Sequence, residues 1–157
     1  MIQVKNYVLG QWVAGEGVET NLYNAITGDH IGTTSSAGLD FKEVLNYGRE
    51  TGGSRLRKMT FQERGRMLKA LALFLLENKE KYYQVSAWTG ATRIDSCIDI
   101  EGGLGNLFAN VSLRRQFPDL PYYVDGVAAP LSKNGSFIGH HIMVPREGVA
   151  IHINAFN

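Results

Sequence analysis

The chain has 157 residues, 44% of them hydrophobic and 20% charged, a composition that supports a folded core and excludes a disordered chain. The formal net charge of +1 argues against a polyelectrolyte surface, so we expect neither nucleic acid nor a membrane as a partner. No apolar run approaches the roughly 20 residues that span a bilayer. A single cysteine and a first segment unlike a secretory signal favour a cytoplasmic protein.

Short β-prone runs dominate the start of the chain. Two of them surround Gly10-Gln11 within residues 6–14, which predicts a tight hairpin at a sheet edge with glycine at the first turn position. A further strand is predicted from Ile31 to Thr34. No chemistry is visible in this part of the sequence.

The first predicted helix begins at a capping box. Asp40 and Glu43 have the spacing at which each side chain reaches a backbone amide of the other residue. Gly52-Gly53 is predicted to end this helix, because glycine adopts left-handed conformations at low cost.

A second capping box, Thr60 with Glu63, predicts a longer helix that ends near Asn78. A further helical segment follows until Thr89-Gly90. The longer helix carries an apolar stripe at three- and four-residue steps, made of Met67, Leu68, Leu71 and Leu75.

A third long helix is predicted to be capped within Ile94-Asp95-Ser96. Its apolar residues at helical spacing are Ile100, Leu104, Phe108 and Val111. Glycine costs about 1 kcal/mol relative to alanine inside a helix. Gly102, Gly103 and Gly105 therefore predict that another backbone approaches this helix closely.

From Tyr122 the hydrophobic period changes to two, which is typical of strands. Residues 122–124 and 127–131, joined by Asp125-Gly126, predict a hairpin, and residues 138–144 alternate along a further strand. Together these residues are expected to form an arm.

The chain ends in a short apolar run that carries a polar residue to its tip. Val149, Ala150, Ile151 and Ile153 predict a strand, entered through the turn residues 145–148. Open α/β sheets bind ligands at the carboxyl ends of their strands, and Asn157 would lie there. Its amide could donate to an oxyanion, although spacing alone favours a turn or cap residue.

Other candidate sites have simpler explanations. Cys97 lies between Asp95 and Asp99, which disfavours a reactive thiolate and favours a structural residue. The histidines His140, His141 and His152 lack the spacing of a zinc site, so we expect no metal.

Two further stretches could attract anions. The run from Glu101 to Gly105 lacks the preceding strand and full glycine spacing of a dinucleotide-binding loop, so helix packing is favoured. A basic run is usually a solvated helix face, and its alternative is a docking surface for an anionic partner, such as a phosphorylated cofactor or nucleic acid. This run contains Arg55, Arg57, Lys58, Arg64, Arg66 and Lys69.

Four motifs resemble the N-terminal part of the aldehyde dehydrogenase superfamily. They are Met59-Thr-Phe-x-Glu-Arg64, Thr89-Gly-Ala-Thr-Arg-x-Asp-Ser96, Asp99-Ile-Glu-Gly-Gly103 and Val149-Ala-Ile-His-Ile-Asn-Ala-Phe-Asn157. More narrowly, they resemble the aldehyde dehydrogenase part of phenylacetate-degradation ring-opening proteins, in which it is fused to a hotdog-fold enoyl-CoA hydratase. The nearest rival is the semialdehyde dehydrogenase of the aerobic benzoyl-CoA pathway.

The resemblance implies an α/β fold with a β-hairpin, a helical layer, an oligomerisation arm and the first strand of the nucleotide-binding sheet. Residues 1–121 would form the hairpin and the helical part of the cofactor domain. Residues 122–145 would form the arm that builds a homodimer or a higher homo-oligomer, and residues 146–157 would form the strand.

The resemblance also implies functional residues. Asn157 matches the asparagine that donates to the oxyanion, and Ile153, Asn154, Ala155 and Phe156 would border the nicotinamide ribose of NADP or NAD. Ala155 and Phe156 depart from the common Pro-Trp pair, which leaves those contacts open.

The implied reaction is oxidation of a CoA-linked semialdehyde to its acid. The family's cysteine nucleophile, glutamate base and remaining cofactor-binding units lie beyond Asn157, so we expect the 157 residues alone to be inactive. The alternative is a non-enzymatic module that pairs with full-length subunits through the arm.

Overall fold

The computed structural model describes residues 1–154, which form a strand-rich start, a helical layer and a β-ribbon. The strands are Ile2–Val4 (β1), Asn6–Val8 (β2), Gln11–Val13 (β3), Thr20–Tyr23 (β4), His30–Thr34 (β5), Tyr123–Val124 (β6), Ala129–Pro130 (β7), Ile138–Gly139 (β8) and Ile142–Met143 (β9). The α-helices are Phe41–Tyr47 (α1), Ser54–Lys58 (α2), Phe61–Glu77 (α3), Lys79–Trp88 (α4) and Arg93–Leu113 (α5). Within residues 1–154, every helix is too short or too polar to cross a membrane.

The predicted N-terminal hairpin is present, but its turn lies one residue earlier than expected. β2 pairs antiparallel with β3, and Val8 lies opposite Gln11. The turn pair is therefore Leu9-Gly10, whose φ angles of 52° and 82° match the mirror-image turns that follow strand twist. Glycine therefore occupies the second turn position, and within residues 1–154 Leu9 is the one non-glycine residue with a positive φ.

A three-stranded sheet surrounds the predicted strand at residues 31–34. β5 lies in the centre, parallel to β1 and antiparallel to β4. The sequence did not predict β1 or β4, since each is only three or four residues long. Gly32 is required at the β1 contact, because a Cβ there would lie 2.1 Å from the backbone oxygen of Ile2.

The first helix continues past its predicted end. Asp40 caps α1 by accepting hydrogen bonds from the amides of Lys42 and Glu43. At Gly48–Gly53 the chain forms a π-helix and then continues directly into α2. The prediction that Gly52-Gly53 ends the helix was wrong, because neither glycine takes the left-handed conformation that stops a helix.

Capping boxes begin both of the long helices. Thr60 and Glu63 form the predicted box at the start of α3, which is confirmed. At α5 the box is made by Thr92 and Asp95, so the predicted cap within residues 94–96 was placed too late. Thr92 and Asp95 have the same three-residue spacing as Thr60 and Glu63, so the sequence carries the signal for this cap.

α3 and α4 both pack on α5, and the buried side chains lie at these two contacts. The buried residues of these three helices are Gly65, Ala72, Tyr83, Ser96, Leu104 and Val111. The predicted α5 stripe is confirmed at Leu104 and Val111. The predicted α3 stripe is confirmed in part: Leu68 and Leu75 are half-buried on the same face as Gly65 and Ala72, whereas Met67 and Leu71 are 44% and 46% exposed.

The glycines of α5 do not mark a close backbone contact within residues 1–154. A Cβ at Gly102, Gly103 or Gly105 would meet no atom within 4 Å, and all three residues are exposed. A close contact at a helical glycine occurs instead on α3, where a Cβ at Gly65 would lie 2.5 Å from Cδ of the Arg114 side chain. Glycine content alone could not show which helix is approached.

The arm is one long ribbon instead of a short hairpin followed by a separate strand. β6 pairs with β9, and β7 pairs with β8, both antiparallel. Asp125-Gly126 lies in a bulge where four residues oppose His140 and His141, and the chain reverses at residues 132–136. The predicted pairing across Asp125-Gly126 was wrong, since the amide of Asp125 donates to the carbonyl of His141 across the ribbon at 2.8 Å.

The strand predicted for residues 149–153 is not formed. Residues 149–154 have no strand hydrogen bonds and are exposed. A strand depends on backbone pairing with a neighbour, and within residues 1–154 no strand is hydrogen-bonded to this segment. The apolar side chains of this segment could be buried, but they do not provide a partner for its backbone hydrogen bonds.

Candidate functional site

The predicted site residues lie at the end of the described segment. Ile153 is 92% exposed and Asn154 is exposed as well, so neither contacts a layer of the fold. Ala155, Phe156 and Asn157 lie outside the residues that the structure describes.

The segment leading to these residues is held against the π-helix. A Cβ at Gly48 would lie 3.2 Å from Cγ2 of Val149, and one at Gly53 would lie 3.9 Å from the carbonyl oxygen of Gly148. The two glycines therefore let residues 148–149 approach the helix backbone. Gly148 itself has a φ of 123°, a conformation that favours glycine and turns the chain at this contact.

A groove of about 630 Å³ lies beside this contact. It separates α2 and the start of α3 from the segment of residues 145–150. We call it the arginine groove; its lining residues are Gly53, Leu56, Arg57, Arg64, Pro145, Arg146, Glu147, Gly148, Val149 and Ala150. Two residues of the basic run, Arg57 and Arg64, thus meet Arg146 from a distant part of the sequence.

A second polar cluster joins α4 to α5. The hydroxyl of Tyr83 donates to Oε1 of Glu101 at 2.7 Å, and Nζ of Lys79 donates to the same oxygen at 3.0 Å. Arg93 lies over the Tyr83 ring at 3.6 Å from the ring centre and pairs with Glu80. The cluster links the two helices through one shared carboxylate.

Hydrogen bonding shifts the acidity of this cluster. The hydrogen bond to Glu101, together with burial, raises the pKa of Tyr83 far above its ordinary value. The same bond and the one from Lys79 lower the pKa of Glu101. Both shifts favour a neutral phenol and an ionised carboxylate at neutral pH, so the pair acts as a structural link between helices.

Sequence reasoning missed this cluster. The sequence predicts only a helical segment around Tyr83 and a glycine-rich run that begins at Glu101. The two residues are on different helices and separated by a turn, so no spacing rule relates them. The only available signal was a tyrosine on an apolar face, since a buried hydroxyl requires a partner.

The remaining candidates do not converge. Cys97 is exposed on α5. His140 and His141 lie in the ribbon, and His152 lies in the exposed terminal segment. Among residues 1–154, no three His, Cys, Asp or Glu side chains form a group suited to a metal ion.

Comparison with known proteins identifies the family. No family model matches the chain. The chain is 32% identical over 157 residues to 3,4-dehydroadipyl-CoA semialdehyde dehydrogenase from Aromatoleum evansii, a match that covers 99% of this chain and 30% of that protein. It therefore spans about a third of the relative's length.

The fold agrees with this sequence match. A crystal structure of an NAD-dependent benzaldehyde dehydrogenase from Corynebacterium glutamicum superposes with a TM-score of 0.65 at 16% identity. The superposition covers 82% of this chain and 28% of that one, which confirms an α/β fold corresponding to the N-terminal portion of an aldehyde dehydrogenase. By sequence and by fold, the chain belongs to the aldehyde dehydrogenase superfamily.

Proposed function

We propose that these residues form the N-terminal part of an enzyme that oxidises a CoA-linked semialdehyde to its acid, with NADP or NAD as the hydride acceptor, in aerobic phenylacetate degradation. The observation that supports the substrate class is the 32% identity to a CoA-semialdehyde dehydrogenase along 99% of the chain. The motifs described above support the phenylacetate pathway. In the balanced reaction, aldehyde, water and oxidised cofactor give acid, reduced cofactor and a proton.

In this proposal the described residues bind and position the reactants. The nicotinamide cofactor, when bound, accepts a hydride. Ile153 and Asn154, which are exposed, together with Ala155 and Phe156 would border its ribose. The side-chain amide of Asn157 would donate to the oxygen that becomes negative when the aldehyde carbonyl is attacked. Removal of one such donor costs roughly 10²- to 10³-fold in kcat in other enzymes.

The test is an absorbance assay at the nicotinamide band with a longer polypeptide that contains these 157 residues and the downstream sequence of the same gene. We expect turnover of 3,4-dehydroadipyl-CoA semialdehyde or of the phenylacetate-derived CoA semialdehyde, and about 10²-fold lower kcat after Asn157→Ala. The 157 residues alone should give no reduced cofactor. Absence of any CoA-semialdehyde oxidation by the longer polypeptide would contradict the proposal.

The same assay separates the two pathways. If the chain belongs to the benzoyl-CoA pathway instead, its kcat/KM will be higher for 3,4-dehydroadipyl-CoA semialdehyde than for the phenylacetate-derived substrate. A fused hotdog hydratase domain would support the phenylacetate pathway. A cytoplasmic location fits both enzymes.

The ribbon supports a second candidate, an association module. Its apolar side chains face solvent: Val127, Phe137 and Val144 are 84%, 64% and 66% exposed. We propose that residues 122–145 pair with another subunit to form a homodimer or a higher oligomer. Light scattering after size exclusion should show an oligomer that Phe137→Ser with Val144→Ser converts to monomer. In the non-enzymatic version, the chain would bind full-length subunits. A polypeptide that extends the chain with downstream sequence would then show no activity.

A further inference from the structure

The arginine groove carries more positive charge than its own carboxylate can balance. Three of its lining residues are arginines, Arg57, Arg64 and Arg146, and one is an acid, Glu147. The difference between three positive charges and one negative charge leaves the groove with a charge of +2. A groove with this charge favours a ligand with two or more negative charges.

The one carboxylate is weakly engaged. Nη2 of Arg57 lies 3.6 Å from Oε1 of Glu147, and the Glu147 side chain is 83% exposed. Such an exposed pair is easily exchanged for another anion. Within residues 1–154, Arg64 and Arg146 have no carboxylate within 4.0 Å.

Aromatic packing orders one of the three arginines, Arg64, before any ligand binds. The guanidinium of Arg64 lies 4.7 Å from the centre of the Phe61 ring, and that ring stacks on Phe117 at 4.5 Å. Ordering a side chain in advance reduces the entropy lost when it binds a ligand.

We propose that the arginine groove binds the phosphate groups of a nucleotide. Guanidinium groups present forked donors that match phosphate oxygens. The volume of about 630 Å³ exceeds that of one phosphate and falls in the range of small-molecule sites. Leu56, Pro145 and Val149 give the groove apolar surface for a base or sugar beside the arginines.

Two nucleotides with this chemistry enter the proposed reaction. CoA and NADP each carry a pyrophosphate and an additional phosphate monoester. The choice of CoA and NADP as the two nucleotides rests on the proposed function. The inference that the groove binds phosphate groups rests on the charge and geometry of the groove alone. Binding and turnover are therefore measured separately, so that failure of one is distinguished from failure of the other.

The experiment is isothermal titration calorimetry with the 157-residue chain and four probes: CoA, dephospho-CoA, NADP and NAD. We expect either CoA or NADP to bind, and Arg146→Gln or Arg64→Gln to weaken binding about tenfold, as expected for loss of a hydrogen bond to a charged group. Arg146 is exposed on a loop, so its replacement leaves the helical layer intact. Arg64→Lys should recover part of the loss because it keeps the charge without the fork.

Arg66→Gln is the matched control, because Arg66 is exposed on the same helix and lies outside the groove. It should leave the affinity unchanged. The groove variants should lower the affinity for only one of CoA and NADP, and that probe is the nucleotide whose phosphates the groove binds. No binding at millimolar concentrations, or equal loss from Arg66→Gln and Arg146→Gln, would overturn the proposal. CoA-semialdehyde turnover by the longer polypeptide would stand in either case.

Discussion

The hydroxyl of Tyr83 on α4 donates to the carboxylate of Glu101 on α5 at 2.7 Å. Tyr83 is only 5% exposed, so the bond lies at the edge of the helical core. Lys79 and Arg93 surround it with positive charge. The position of α4 against α5 therefore depends on a polar contact as well as on apolar packing, and its strength should vary with pH.

At low pH this contact should weaken. The pKa of Glu101 is lowered in the folded chain by its hydrogen bonds from Tyr83 and Lys79, so the carboxylate stabilises the fold above the ordinary glutamate pKa. This contribution is lost as pH falls through the lowered, folded-state pKa. Glu101→Gln should therefore reduce the urea midpoint at pH 7 and have little effect once wild-type Glu101 is protonated. The Tyr83→Phe, Glu101→Gln double-mutant cycle should give a coupling energy that decreases over the same pH range.

At high pH the Tyr83 hydroxyl should resist ionisation. The hydrogen bond to Glu101 and burial raise the pKa of Tyr83, so its stabilising effect persists below about pH 10, the ordinary tyrosine range, and is lost as pH rises through the folded-state value. The tyrosinate absorbance of wild type minus that of Tyr83→Phe should stay flat through about pH 10. A step at the ordinary tyrosine pKa in the folded protein would show that the bond is not maintained.

Thr60 should contribute to stability through the capping box of α3. Its side chain accepts from the Glu63 amide at 3.1 Å, and the Glu63 side chain accepts from the Thr60 amide at 2.9 Å. Thr60→Ala should lower the free energy of unfolding by about 1 kcal/mol. Thr60→Ser retains the accepting oxygen and should cost less. Chemical denaturation followed by far-UV circular dichroism measures both, and equal losses for the two variants would argue against the cap.

Alanine should be tolerated on α5 and not on α3. A Cβ at Gly102, Gly103 or Gly105 meets no atom within 4 Å, so each Gly→Ala change should stabilise this chain by roughly 0.5–1 kcal/mol. Gly65→Ala should destabilise it, because the new Cβ would lie 2.5 Å from Cδ of Arg114. Thermal melts of the single variants check the sign at each site. Destabilisation by all three α5 changes would indicate that this face is covered in solution.

The structure separates local features from tertiary ones. The capping box at Thr60, the break at Thr89-Gly90 and the hairpin at residues 6–14 were predictable because each depends on residues close together in sequence. The ribbon was predicted as strands, but its pairing was wrong. Turn residues such as Asp125-Gly126 also occur at bulges, so a turn signal alone does not specify which strands pair.

The candidate site also combines features that are local in sequence with features that only the tertiary structure brings together. The sequence shows the basic run at Arg57 and Arg64 and favours a solvated helix face for it. Only the fold brought Arg146 to the same groove, since a separation of more than eighty residues carries no spacing rule. The predicted roles of residues 153–157 stay predictions, because they depend on the resemblance and on contacts outside residues 1–154.

By itself, the sequence determined the superfamily, the capped helices and the β-prone ends, because motifs and periodicity are properties of neighbouring residues. The tertiary structure decided which face of α3 is buried, how the ribbon pairs, and that Tyr83 meets Glu101. These features depend on which segments come together, and the energy of packing and of buried hydrogen bonds is determined by that arrangement. For the same reason, the arginine groove exists only because the fold brings residues 145–150 beside α2 and the start of α3.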